Sequence, residues 1–183
     1  MKARLASHNE NKLRELRAAL VGWEVELLGA DEFPPEDGAT YLDNARIKAR
    51  FGRGLAGPDE WVLGEDSGIE VAALGGGPGA ESARWAKGRE AEKLLETLGD
   101  ADDRRARYVC ELVALAPDGR ELRGTGILEG TIAHELRGEE GFGFDPVFLP
   151  EGETQTVAQL GNDWKRQNSH RARAARALAA ALE

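Results

Sequence analysis

The middle of the sequence constrains the fold most. Two long strand-like runs, Tyr108 to Ala116 and Glu121 to Ala133, are joined by a short turn containing Pro117-Asp118-Gly119. Such runs joined by turn residues predict a β-hairpin. The N-terminal part is patterned differently. Lys2 to Ala6 predicts a short strand, Leu13, Leu16 and Leu20 follow at helical spacing, and Trp23 to Leu28 alternates apolar and acidic residues like a half-buried strand. Early interleaving followed by a hairpin predicts an α/β protein with a long mixed β-sheet and flanking helices, rather than a purely parallel doubly wound one.

The remaining elements fill in this plan. Ser7 with Glu10 matches a capping box, which starts the first helix near His8. Thr40 to Leu55 reads as a second helix. Trp61 to Leu63 opens a strand that Glu65-Asp66 close just before Ser67-Gly68, and Ile69 to Leu74 is a further short apolar run. Ala91 to Leu98 reads as helical, and Trp164 to Leu182 as one alanine-rich helix of about five turns with no glycine or proline inside it. With no repeat or linker in view, residues 1–183 are expected to form a single domain, with two lobes around a cleft.

Composition narrows the function classes. A formal net charge of −9 argues against a nucleic-acid partner, which calls for a basic face. Of the two densest basic clusters, Arg104, Arg105 and Arg107 lie among Asp100, Asp102 and Asp103 and read as a solvated loop; Lys165 to Arg176 is mixed into the last helix. A small polyphosphate met by a few local cations fits this balance better than a polymer. The apolar runs are too short to cross a bilayer, and the N-terminus turns polar at once, so no membrane partner and a cytoplasmic location are expected. Cys110, the only cysteine, lies in an apolar run and reads as a small core residue.

Four segments hold residues suited to chemistry. Ser7, His8, Asn9, Glu10, Asn11 and Lys12 lie where a strand passes into a helix, and unpaired N–H groups, the helix dipole and a lysine there favour an anion; an ordinary capped helix fits as well. Glu36-Asp37 and Glu65-Asp66 supply the hard oxygen ligands that magnesium prefers, and one carboxylate suits the activation of water; an acidic turn fits as well. In Gly141-Phe142-Gly143-Phe144-Asp145, two aromatics framed by glycines offer a stacking surface for a flat base, or plug the core as a tight turn. Lys165, Ser169, His170 and Arg171 gather donors on one stretch of helix, or are separate structural and surface residues.

Taken together and in this order, the segments LASHNENKLREL, EDGATYLDNARIKA, EDSGIEVAALGGGPGAESAR, GFGFDPVF and KRQNSHRARA resemble the inosine triphosphate pyrophosphatase family, the dITP/XTP pyrophosphatases, from Leu5 to Ala174. The resemblance implies hydrolysis of the α–β phosphoanhydride of ITP, dITP and XTP to monophosphate and pyrophosphate, with Mg2+ as cofactor, in a homodimer. It implies that Ser7 to Lys12 bind the triphosphate and that Glu36 and Asp66 hold the metal, with Glu65 less securely in that set. Asp66 is also implied as the proton acceptor for the attacking water. It places Ser67 on the substrate, Phe142, Gly143, Phe144 and Asp145 on the base and sugar side, and Lys165, His170 and Arg171 at the purine edge. Asn44 and Lys48 match a helix face bordering the same site. The chain departs from the family pattern at Glu65, where aspartate is common, at Asn11 and Ala172, where glycine is common, and at Phe144, where tyrosine is common. The segment after Arg84 is also shorter than usual. Two other readings compete: a related pyrophosphatase of modified pyrimidine nucleotides, and a non-catalytic nucleotide sensor.

Overall fold

The structure is a computed structural model that describes residues 1–182. Its six strands form one sheet in the order β2-β1-β3-β4-β5-β6. The strands are β1 (Lys2–Leu5), β2 (Glu24–Leu27), β3 (Trp61–Val71), β4 (Arg105–Leu115), β5 (Glu121–Ile132) and β6 (Phe148–Pro150). The helices are α1 (Glu10–Ala19), α2 (Tyr41–Arg53), α3 (Ser82–Trp85), α4 (Glu90–Leu98), α5 (Val157–Asn168) and α6 (His170–Ala180). β1 pairs in parallel with β2 and β3, whereas β6 runs antiparallel to β5. The expected mixed sheet and central hairpin are present, with the Ala116 N–H bonded to the Arg120 carbonyl at 2.9 Å across the turn.

By internal contacts the chain divides into two compact units. The first takes residues 1–66, 110–126 and the segment from His170; the second takes 67–109 and 127–169. The core of the first unit packs Leu5, Leu16, Val25, Leu63, Leu112 and Leu178. Here the leucine stripe of α1 and the alanine-rich face of α6 are buried. On α2, Ala45 and Ala49 pack with Val113 and Leu115. The second unit has its own core around Ile69, Leu94, Leu128, Val147 and Phe148.

Three glycines let helices of the first unit lie directly on strand backbone. A Cβ at Gly64 would overlap the Ala45 carbonyl oxygen of α2, and Cβ atoms at Gly124 and Gly126 would overlap carbonyl oxygens of Ala174 and His170 on α6. The small residues on both sides are therefore a packing requirement, not turn chemistry.

Four sequence expectations are corrected. The cap of α1 is Asn9, not Ser7, because the Asn9 side chain accepts from the N–H groups of Asn11 and Lys12. β3 does not close at Asp66: it continues to Val71, so Ser67-Gly68 lie mid-strand. The expected helix Trp164 to Leu182 is two helices, because Ser169 is extended (φ −62°, ψ 160°) and ends α5, which is itself kinked at Gly161 (φ +84°). Arg104 is no solvated loop residue; it is buried and donates to the carbonyls of Ile132, Ala133 and Gly99.

Replacing Gly64 by alanine forces a side chain into immovable backbone. Gly64→Ala is expected to destabilise the protein by about 3 kcal/mol or more, measured by urea denaturation. An unchanged midpoint contradicts the close approach of α2 to β3.

Candidate functional site

α1 starts from a tightly bonded turn. The Ser7 hydroxyl accepts from the Asn9 N–H at 3.0 Å, and Asn9 Oδ1 accepts from Asn11 and Lys12 at 2.9 and 3.2 Å. Asn9 therefore occupies two of the helix-start N–H groups that were expected to be open to an anion. His8 is exposed, and its Nε2 donates to the Ala30 carbonyl at 2.7 Å. Lys12 does not simply face solvent: its Nζ lies 2.6 Å from Glu65 Oε2.

Glu65 is the most enclosed charge of the first unit, with no side-chain exposure. Besides Lys12 it accepts from Arg171 Nε at 3.0 Å, and Arg171 donates through Nη1 to Glu15 at 3.1 Å. Two cations thus alternate with two carboxylates across α1, β3 and α6. Burial alone pushes the Glu65 carboxyl up, but Lys12, Arg171 and Lys48 together outweigh it and hold the group well below the usual carboxylate range. The Cys110 thiol lies 3.5 Å from Glu65 Oε1, and burial together with that carboxylate pushes it well above the usual thiol range. A buried thiol of that kind is inert packing, as expected.

Asp66 belongs to the other face of the sheet, since successive strand residues point oppositely. Its partners come from α2: Asn44 Nδ2 at 3.0 Å and Lys48 Nζ at 3.2 Å. Lys48 also donates to the Glu65 carbonyl at 3.0 Å and pairs with Glu36. Burial pushes the Asp66 carboxyl up, and the opposing pull of Lys48 and Lys12 does not cancel that rise. The two neighbouring carboxylates therefore have opposite characters. Glu65 is locked as an anion, while Asp66 is the readier to hold a proton.

Lys48 marks where carboxylates converge on a cation. Glu36 and Asp66 both reach its ammonium, whereas Glu65 is engaged on the opposite face. Among the described residues, no group of three or more His, Cys, Asp or Glu side chains is arranged to hold an ion. Two carboxylates, with water and phosphate oxygens completing the shell, are what magnesium commonly takes from a protein. Glu36 and Asp66 fit that ion; Glu65 does not.

The aromatic segment lies in the second unit. Asp145 Oδ2 accepts from the Phe142 N–H at 2.9 Å and from Lys165 Nζ at 2.6 Å, and Oδ1 accepts from the Tyr108 hydroxyl at 3.1 Å. Gly141 takes φ +82° where a Cβ would overlap Asp145, so glycine is required there. Phe142 is half-buried with Lys165 Nζ 4.5 Å from its ring centre, but Phe144 is 5 % exposed and packs beside Trp85. Phe142 is therefore the less buried of the two aromatics, whereas Phe144 is core. Ser67 is buried on β3.

The break at Ser169 puts Lys165 at the end of α5 and His170 and Arg171 at the start of α6. Lys165 serves Asp145, Arg171 serves Glu15 and Glu65, and His170 opens α6 as a buried residue. Sequence reasoning missed Glu15 and Tyr108. The available signal for Glu15 was its place inside the Leu13–Leu16 apolar stripe, one turn after Lys12.

The Ham1 family model matches residues 3–181. The dITP/XTP pyrophosphatase of Bdellovibrio bacteriovorus is 47% identical over 156 residues, covering 81% of this chain and 78% of that protein. The dITP/XTP pyrophosphatase of Deinococcus radiodurans is 42% identical over 183 residues, covering 97% and 90%. Among solved structures, the Ham1 protein of Staphylococcus aureus superposes with a TM-score of 0.85 at 35% identity, over 100% of this chain and 98% of that one. The nucleoside-triphosphatase, dITP/XTP pyrophosphatase, of Mycobacterium abscessus gives a TM-score of 0.73 at 38% identity, over 98% and 97%. Among the described residues, no helix is long and apolar enough to cross a membrane.

Glu65→Gln leaves buried Arg171 and half-buried Lys12 without their shared anion, and is expected to cost about 3–5 kcal/mol at neutral pH. Because the folded protein holds Glu65 below its ordinary value, the contribution is complete above the unfolded pKa of about 4.3. It is then lost as pH falls toward the lower folded value. The gap in urea midpoint between the two proteins should therefore narrow in acid. A gap that stays constant, or widens as pH drops, contradicts the assignment.

Proposed function

The chain belongs to the Ham1 family, and on that premise we propose that it is a magnesium-dependent pyrophosphatase of non-standard purine nucleoside triphosphates, dITP, ITP and XTP. The observation that carries the chemistry is the convergence of Glu36 and Asp66 on a single cation position, occupied by the Lys48 ammonium. Held by these two carboxylates beside Lys48, magnesium would neutralise phosphate charge, the main demand of phosphoryl hydrolysis.

The residues of the chain supply the rest. Asp66 takes the proton of a water as its oxygen bonds to the α-phosphorus, and the bond to the α–β bridging oxygen breaks to release pyrophosphate. In the metal-free protein burial raises its proton affinity, the direction a proton acceptor needs. Asn44 and Lys48 fix the orientation of that carboxylate. The turn from Ser7 to Lys12 receives the triphosphate, with Lys12 placed by Glu65, and Ser67 touches the substrate. The roles of Phe142, Gly143, Phe144 and Asp145 on the base side, and of Lys165, His170 and Arg171 at the purine edge, are carried from the family resemblance. The partial exposure of Phe142 and the fixed ammonium of Lys165 support them; buried Phe144 acts through packing. Donors aimed at a 6-keto oxygen would be left unpaired by the amino group of adenine, a mismatch worth up to about 10⁴-fold in rate. A homodimer is part of the same proposal.

A hydrolysis panel of dITP, XTP, dGTP, ATP and modified pyrimidine triphosphates, with pyrophosphate and orthophosphate detected separately, tests this reading. Magnesium-dependent pyrophosphate release from dITP and XTP, with little from ATP, is expected. Orthophosphate as the sole inorganic product would overturn the cleavage position, and a pyrimidine preference would overturn the substrate class. Asp66→Asn should still bind dITP while turnover falls by about 10²–10⁴; near-normal turnover removes Asp66 from its role.

A further inference from the structure

Residues 28–39 run without helix or strand from the end of β2 to the cap of α2, and they carry Glu36. A compact protein seldom leaves so long a segment without a task. Both ends are fixed by main chain: the Leu28 N–H bonds to the Leu5 carbonyl at 2.9 Å, and the Gly38 N–H to Asn44 Oδ1 at 2.8 Å. Between them the anchor is aromatic. The Phe33 ring lies 4.6 Å from the His8 imidazole and 5.7 Å from the Phe51 ring, centre to centre, at interplanar angles of 64° and 68°. Edge-to-face pairs of this kind add stability beyond the area they bury.

The three rings join elements that each hold part of the site. His8 belongs to the turn before α1 and also donates to Ala30 of the same segment. Phe51 lies on α2, seven residues after Asn44 and three after Lys48. Phe33 therefore fastens the free-running segment at once to the turn that receives phosphates and to the helix that positions Asp66.

We propose that Phe33 is a positioning residue of the metal site: seated between His8 and Phe51, it latches residues 28–39 so that Glu36 stands with Asp66 around one cation. The metal role of that pair rests on the proposed function; the latch itself does not. Because His8 lies in the triphosphate turn, the same aromatic contact touches both the segment that carries Glu36 and the turn assigned to the nucleotide.

The test uses the full chain with Phe33→Ala and the conservative Phe33→Tyr. First, a glutamate-specific protease reports the latch through cleavage after Glu32 and Glu36, whatever reaction the protein performs. Phe33→Ala should raise cleavage at these bonds at least about fivefold, with cleavage elsewhere unchanged and the thermal midpoint lowered by no more than about 2–4 °C, and Phe33→Tyr should restore the wild-type rate. Second, Mn2+ is titrated into the protein in the presence of the α,β-methylene analogue of dITP and followed by electron paramagnetic resonance. Its Kd should rise at least about fivefold in Phe33→Ala and return in Phe33→Tyr. In hydrolysis, the metal concentration for half-maximal rate should rise in parallel while kcat at saturating metal is retained. Unchanged cleavage overturns the latch. Faster cleavage at every bond with a thermal midpoint lowered beyond that range makes Phe33 an ordinary packing residue and overturns it too. Faster cleavage after Glu32 and Glu36 with unchanged Mn2+ affinity overturns the link to Glu36. A wild-type protein that binds no Mn2+ with the analogue overturns the functional reading and the metal role with it, while the protease result still judges the latch.

Discussion

A carboxylate with no exposure to water has to be matched by cations, and at Glu65 that requirement organises the first unit. Lys12 comes from α1 and Arg171 from α6, and both reach the same side chain on β3. Glu15 then answers the second contact of Arg171. Removing any one member leaves its neighbours charged and dry, so the set holds together or fails together. The register of α1 and α6 against the sheet is specified by these pairs as well as by apolar packing. The glycines at 124 and 126 give α6 the clearance to sit where Arg171 can reach.

The same strand separates two chemical tasks by simple alternation. Glu65 turns to the α1 and α6 side and supplies permanent negative charge, which fixes Lys12. Asp66 turns to the α2 side, where burial outweighs the nearby ammonium and raises its proton affinity. Adjacent carboxylates with environments that push their pKa values apart are a recurring physical basis for dividing acid–base work. Here the division needs no loop movement, only the two-residue period of a strand.

Most of the fold was legible because it rests on local pattern. The leucine spacing of α1, the capped helix at Thr40, the Pro-Asp-Gly turn and the alternating strands all signal themselves within a few residues. Apart from the α1 cap, where Asn9 displaces Ser7 by purely local bonds, the misreadings share one cause: tertiary contacts overriding local signals. Ser67-Gly68 resembles a turn, yet Gly68 is needed because a Cβ would overlap the Gly79 carbonyl oxygen, and the strand runs on. The alanines of the last segment favour an unbroken helix, but Lys165 and Arg171 answer different carboxylates and the chain extends at Ser169 between them. Arg104 looked solvated among aspartates because two of the three carbonyls it donates to, those of Ile132 and Ala133, come from elsewhere in the chain. Of the proposed site residues, Asp66, Glu36 and Lys12 were singled out through motif order. Glu15 was hidden because a paired buried glutamate looks like a gap in an apolar stripe.

The central claim is that neighbouring carboxylates are held at opposite ends of the carboxylate range, Glu65 as a fixed charge and Asp66 as the proton acceptor. Titrating the side-chain carboxyl carbons of both residues by 13C NMR in metal-free protein tests it directly. The account predicts an Asp66 midpoint above the ordinary aspartate value of about 3.9, and no Glu65 inflection from neutral pH down to about 4, where an ordinary glutamate is already titrating. An Asp66 midpoint below that value, or a Glu65 inflection at or above it, would contradict the account.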